Sequence, residues 1–377
     1  MRKFTSRLWV SLPILALTTQ LTFATESKTQ LESKQASNIE TKFNFRTNTM
    51  GFYEGEQEAS LVLFGFNPEI KFKLDPKFYI DANVSLNLLS SRIQLRYLSQ
   101  NDQNFFLNEL SMNYAPSENF KISVGAINQN HLDSPYLVSN LSFPGVLASA
   151  HIKTDNVKFG YKGQRLIPTS MSFDTDRTEK EALPIFQTHG LFADYKVNNN
   201  FEVGGQVNYF NFADLPSVVA FESQIMGNDV TGIEIGDSRF TEQFSGFSNS
   251  FYAKGMFSKD FGAQLNISVV ENENTLDGDN RAQFVESGLI FKFNRFDLIP
   301  SYAQFYAEPN VTPGFYNTRM LGNNNREGVR YSLRTNFKKI KLNVIASYIN
   351  AKVLNQSIYQ DDLDSVRLVM EMLNVKF

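Results

Sequence analysis

The sequence predicts an all-β protein: a transmembrane antiparallel β-barrel of 16 strands, with short turns at one end and long loops at the other. Two patterns predict it. Short polar connections recur along the chain and each is followed by an apolar period-two series, the signature of a strand with one apolar and one wet face. Between them lie longer polar connections, so short and long links alternate.

The short connections are Asp75-Pro76-Lys77, Pro116-Ser117-Glu118-Asn119, Thr154-Asp155-Asn156, Asn198-Asn199-Asn200, Lys259-Asp260, Asn294-Arg295 and Lys338-Lys339, all rich in turn formers. The first series after a turn is Phe78, Ile80, Ala82, Val84, Leu86, Leu88, with Asp81, Asn83, Ser85 and Asn87 between them. The others start at Phe120, Val157, Phe201, Phe261, Phe296 and Ile340. Phe opens most of these series, which predicts an aromatic ring at one membrane boundary.

Strands entering the turns are read at 60–74, 104–115, 147–153, 187–197, 248–257, 283–293 and 328–337. Ile39–Met50 and the terminal strand from Ser365 bring the count to 16; misreading near 147 or 283 leaves 14 or 18 open. The longer connections are 51–59, 89–103, 128–146, 167–186, 211–247, 271–282, 306–327 and 351–364. A secreted β-sandwich explains alternation, but gives no reason for alternating link lengths or for Phe after most turns.

The amino end reads as a leader. Arg2, Lys3 and Arg7 precede an apolar stretch from Leu8 to Leu21, and Thr22-Phe23-Ala24 offers a small-x-small cleavage pattern. The stretch is broken by Ser11, Pro13, Thr18, Thr19 and Gln20, which disfavours an uncleaved anchor. The expected organisation is a signal peptide at 1–24, a short polar periplasmic segment at 25–38 and a barrel at 39–377. Segment 25–38 is too small to plug a barrel of this width.

Composition excludes several classes. Lys+Arg number 36 against 39 Asp+Glu; removing Arg2, Lys3 and Arg7 moves the formal charge from -3 to -6, which argues against nucleic acid as a partner. Cysteine is absent, which rules out disulfides, thiolate metal sites and a Cys nucleophile. Mean hydropathy is -0.28, compatible with a barrel because only alternate residues face lipid.

The final strand, Val366 to Phe377, ends on an aromatic residue, with Leu373, Val375 and Phe377 on one face. This ending, the leader and the hairpin repeat resemble the porin-like β-barrels of Gram-negative outer membranes over nearly all of the mature length. The resemblance implies an outer-membrane location, Phe377 as an assembly signal for the barrel-assembly machinery, contact with outer-membrane lipid and lipopolysaccharide, assembly as a homotrimer, and passage of small hydrophilic solutes. It also implies that the loop after the fifth strand, Asn128 to Val146, folds inward as a constriction, with His131, Asp133, Tyr136 and Phe143 as its candidate residues. Leu137, Val138, Leu141 and Phe143 suit packing on an inner wall, and packing on neighbouring loops above the membrane explains them equally. Asp133 is the loop's sole acid.

The face opposite the apolar series carries Lys42, Arg46, Lys71, Lys73, Lys121, Lys158, Lys162, Arg330, Arg334 and Lys341 against Asp81, Glu109, Asp194, Glu202 and Asp297. Of these, Lys42, Arg46, Lys71, Lys73, Lys121, Arg330 and Arg334 are the candidate pore lining. A predominantly basic wall favours anions. Lys42, Arg46, Arg330 and Arg334 come from strands that meet at closure, and pairing with carboxylates would neutralise them. The function expected is passive diffusion of small polar solutes with anion preference; the alternative is a low-conductance barrel with a structural or surface-binding role.

Enzyme chemistry finds little support. A nucleophile-base pair needs a Ser or a water within reach of a His that a third group orients. His131 with Asp133 is the best local pairing, but residues two apart on an extended segment point opposite ways, and His151 and His189 sit within strands on the wet face or at a loop base. Asp277 and Asp279, flanked by Glu271 and Glu273, supply oxygen ligands without the spacing of a dedicated calcium loop. No cofactor is expected.

Overall fold

A computed structural model describes residues 38–92, 105–168, 181–275 and 279–375. The expected leader, nearly all of the polar segment after it, Asp277 and Phe377 lie outside the described residues. The strands are β1 (Ile39–Glu54), β2 (Gln57–Asp75), β3 (Phe78–Arg92), β4 (Phe105–Ser117), β5 (Phe120–Asn128), β6 (Ser142–Lys153), β7 (Val157–Leu166), β8 (Ile185–Asn198) and β9 (Phe201–Ala213). They continue with β10 (Val230–Thr231), β11 (Arg239–Phe240), β12 (Phe244–Met256), β13 (Phe261–Asn272), β14 (Arg281–Lys292), β15 (Phe296–Ala307), β16 (Arg326–Phe337), β17 (Leu342–Val353) and β18 (Leu363–Val375). Apart from the two-residue ladder β10–β11, they form one closed antiparallel barrel of 16 strands, sealed where β1 pairs with β18. Every strand read from the pattern has its counterpart.

Most strands run further toward the long connections than expected. The upper, inward residues Phe186, Phe210, Phe212, Phe244, Phe284 and Phe305 are all buried. Both faces are apolar there, so the period-two signal fades and these residues read as loop. The expected long link at 51–59 is instead a tight turn: Glu54 pairs with Gln57 and Gly55 takes φ +58. A side chain at 55 is strained in that backbone region and places its Cβ 2.5 Å from Asp361 Oδ2. A second correction concerns Ile340 and Lys341, which lie in the turn before β17; Lys341 has φ +51.

The outer face is the apolar one. Val207, Leu289 and Leu333 are exposed on it, as the strands of a barrel in lipid require. Phenylalanines crowd the short-turn end: Phe257 and Phe261 are 5.7 Å apart, Phe261 and Phe291 5.4 Å, and Phe293 and Phe296 4.8 Å. Farther up, Tyr302 and Tyr331 lie 5.2 Å apart and Tyr209 and Phe247 5.6 Å. These are the two aromatic girdles of a membrane barrel.

Inside, near the long-loop end, Arg326 of β16 pairs with Glu54 of β1, both almost fully buried. Arg326 Nη1 also donates to the Asp361 carbonyl oxygen at 2.6 Å. The contact ties the closing strands to the last loop. Because Glu54→Gln leaves a buried guanidinium uncompensated, it should lower stability by about 3 kcal/mol, read as a shifted urea midpoint for folding into lipid vesicles.

Candidate functional site

Residues opposite one another in an antiparallel ladder share a face, so the registry carries the inward side around the barrel. Glu371 faces Arg46, Lys71 faces Asp81, Lys121 faces Ser149, Ser149 faces Lys162, and Ala303 links Glu286 to Arg330. The wall cations read from the alternation therefore do share the lumen face, Lys341 excepted.

Most of the candidate lining is paired with carboxylates of the wall itself. Lys42 lies 3.8 Å from Glu69, Arg46 3.2 Å from Glu371, Lys71 4.0 Å from Asp81 and Arg330 2.7 Å from Glu286, while Lys73 pairs with Glu40. Three of the four cations near the closure, Lys42, Arg46 and Arg330, are thus charge-compensated. Among the described residues, Lys121, Lys158, Lys162, Arg334 and Arg367 have no carboxylate within 4.0 Å.

Sequence reasoning missed Arg367, and the reason is local. Leu373 and Val375 set a phase that puts Arg367 and Glu371 on the outer face. A bulge shifts the register between Phe43 and Phe45, Asn374 takes φ +54, and its N–H donates to Asn44 Oδ1 at 2.9 Å. The extra residue reverses the phase above it. Arg367 points inward, its Nε donating to Asn48 Oδ1 at 2.9 Å.

The loop after β5 folds into the lumen. Asn128 accepts from Asn130 N–H through its side chain, starting a short 3-10 helix (Gln129–Leu132). Gln164 of β7 donates to Gln129 Oε1 at 2.8 Å, Gln206 of β9 to the Leu132 carbonyl oxygen, and Ser134 Oγ lies 2.9 Å from Ser268 Oγ of β13. Contact with inward residues of three separated strands requires the loop to lie across the interior. Leu132, Tyr136, Leu137 and Val138 are buried. Phe143, expected within the loop, belongs to β6 and is buried between Phe186 and Tyr316.

A second loop, 308–325, also turns inward, which the sequence did not suggest. Thr312 Oγ1 donates to the Tyr136 carbonyl oxygen at 2.7 Å, Ser139 N–H to the Tyr316 carbonyl oxygen at 2.7 Å, and Thr318 N–H to the Pro135 carbonyl oxygen at 3.0 Å. Tyr316 stacks at 5.7 Å on Phe212, which stacks at 4.3 Å on Phe186. Loop 214–243, which holds helix α1 (Ser217–Gln224), joins through Asn228, whose amide donates to the Pro309 and Thr312 carbonyl oxygens and accepts from Gly314 N–H. Met320 then reaches the far wall, with Sδ 2.7 Å from Arg367 Nη1. The two inward loops span the lumen from β7 to β18. Beside them remains a space of about 480 Å³, lined by Asp133, Asn140, Asn266, Glu286, Met320 and Arg330 among others.

His131 sits where this loop meets the wall. Its Nδ1 lies 3.0 Å from the Asn128 carbonyl oxygen and so carries the proton, and its Nε2 is buried. Burial, with the nearby Lys162 and Lys121 ammoniums, lowers its pKa to about 4, against the opposing pull of the Asn128 carbonyl and Gln164. Partial enclosure raises the Asp133 carboxyl, which the Lys162 ammonium opposes. Burial also raises the Tyr136 phenol. Among the described residues no group of three or more His, Asp or Glu side chains is placed to hold a metal ion. Asp279 accepts from Asn355 Nδ2 at 3.3 Å.

The fold has solved counterparts. OprB of Pseudomonas putida superposes with a TM-score of 0.55 at 11% identity, covering 89% of this chain and 94% of that one. OmpT, an outer membrane protein of Vibrio cholerae solved with loop L8 deleted, gives a TM-score of 0.50 at 10% identity, covering 89% and 99%. At this identity the likeness is one of fold. No protein-family model and no curated protein matches the sequence.

His131 generates a pH prediction. Its folded pKa lies below the ordinary 6.5, so the unfolded chain binds the proton more readily, and stability present above pH 6.5 is lost as pH falls toward 4. The loss should reach about 3 kcal/mol. His131→Gln should remove this part of the pH dependence, seen by comparing urea midpoints at pH 7 and pH 4.

Proposed function

We propose that this chain is an outer-membrane channel for passive diffusion of small polar solutes, with a preference for anions. The observation that carries the reading is a closed barrel of 16 strands with an apolar outer face and a polar inner one. A sheet of that width encloses an aqueous lumen, and loops here narrow it. Anion preference is argued from Lys121, Lys158, Lys162, Arg334 and Arg367, lumen cations that have no carboxylate within 4.0 Å among the described residues. Paired cations are nearly neutral to a passing ion, so Lys42, Arg46, Lys71, Lys73 and Arg330 contribute shape and local dipoles more than net potential. In this reading Asp133 and Tyr136 border the constriction, and His131 anchors it. Residues 1–24 are cleaved on export, 25–38 are periplasmic and 39–377 form the barrel. Insertion by the barrel-assembly machinery, contact with lipopolysaccharide and homotrimeric assembly belong to the same proposal. Nothing in the chemistry calls for a catalytic role or a cofactor.

A second reading is a barrel of little conductance with a structural or binding role. The loops interlocked across the lumen favour it.

Single-channel recording of the refolded mature protein separates the two. Stepwise ohmic openings with a reversal potential on the chloride side of a KCl gradient are expected. Lys121→Gln should lower the chloride-to-potassium permeability ratio by up to roughly fivefold, the effect of about 1 kcal/mol for one charge in water, and adding Arg334→Gln should lower it further. No openings from protein with verified β-content and heat-modifiable migration would favour the second reading. If the loops set the bore, replacing residues 311–321 by a short Gly-Ser link raises the single-channel conductance.

A further inference from the structure

On β7 the inward residues Lys158, Gly160 and Lys162 follow one another, and Gly160 lies opposite Phe192 of β8. A Cβ at 160 would fall 2.6 Å from Phe192 Cζ, so the aromatic ring crosses the ladder over the glycine. The two lysines bend toward this ring from either side. Their ammonium nitrogens lie 5.3 Å and 4.9 Å from its centroid. Such cation–ring contacts are weakly attractive, yet they gather two like charges at one point.

No acid is in contact with either ammonium among the described residues, although Asp133 and Asp194 act on Lys162 at longer range. Asp194, opposite Lys158 in the ladder, lies instead 3.0 Å from the Tyr252 hydroxyl, whose single proton it shares with Glu202 at 2.9 Å. Neither Lys158 nor Lys162 has a carboxylate within 4.0 Å among the described residues. Lys162 makes one long bond, 3.4 Å, to the His131 carbonyl oxygen. Lys121, one strand further along the same rung through Ser149, adds a third unpaired ammonium. The remaining N–H donors of Lys158 and Lys162 are thus open to the lumen. The apolar ring between them keeps water from solvating both ammoniums fully, which strengthens their pull on a third party.

We propose that Lys158, Phe192 and Lys162 form an oxyanion-binding station on the lumen wall beside the constriction loop, taking the carboxylate of a small organic acid or free phosphate. The station deepens the anion-channel reading and rests on it for how the anion arrives, but binding itself is measured without current.

The folded full-length mature protein in detergent micelles at low salt is titrated calorimetrically with sodium phosphate and, separately, with sodium succinate. Saturable binding of at least one is expected, and competition between the two identifies the preferred source. Lys158→Gln with Lys162→Gln should weaken it by at least roughly tenfold, about 1.4 kcal/mol. Lys352→Gln, on the outer face of β17, serves as a single-charge control away from the lumen and should bind like the parent. Phe192→Leu keeps both ammoniums but removes the ring, and should also weaken binding. Heat-modifiable migration checks that each variant is folded. No binding by the parent at millimolar anion, or equal affinity in the double lysine variant, overturns the station. Binding without current in bilayers leaves the station standing and removes the channel; current without binding does the reverse.

Discussion

Unpaired backbone amides and carbonyls have no partner in hydrocarbon, and this constraint shapes everything else in the molecule. It forces the sheet to close, so β1 must find β18 although they come from opposite ends of the chain. Closure in turn gives every strand one lipid face and one lumen face, which is why alternation is so regular through the membrane. The bulge at Leu373–Asn374 follows from the same demand. It lets the last strand meet β1 with its ladder intact while turning Arg367 and Glu371 inward.

Once the sheet is closed, the interior near the long-loop end has to be filled. It is filled by the chain's own loops. Aromatic contacts among Phe143, Phe186, Phe212 and Tyr316 hold loop 308–325 against the wall. Amides then satisfy its buried backbone: Asn324 Nδ2 donates to the Pro309 and Thr312 carbonyl oxygens, and Asn228 donates to the same two. Asparagine suits this work because its side chain offers both donors and an acceptor. The result is a fixed partition whose position depends on wall residues as much as on the loops.

Charge follows a different logic at different depths. The buried Arg326–Glu54 pair serves closure, and removing either partner leaves a charge in a dry site. The half-exposed pairs at Lys42, Arg46 and Lys71 cancel much of the basic character that a count of side chains suggests. What remains is concentrated on β5 and β7, where Lys121, Lys158 and Lys162 have rings or amides for neighbours but no acid in contact. An anion crossing the lumen meets a local patch of potential there.

The chain's linear pattern pointed to 16 strands with 14 or 18 left open, and determined the hairpin order, the short-turn ends and the girdle of phenylalanines, because each depends on residue character at spacing two and on local turn chemistry. It also placed most of the wall lysines and arginines on a common face, Lys341 and Arg367 apart. Tertiary structure alone decided which of those cations are neutralised, since Arg46 and Glu371 are distant in sequence and meet only at closure. It alone decided that 308–325 lies inside the barrel and that strands reach Ala213 and Phe244, because an inward loop makes both faces apolar and erases the alternation. And it decided the side on which Arg367 stands, since a single inserted residue reverses a period of two and leaves no mark in residue character.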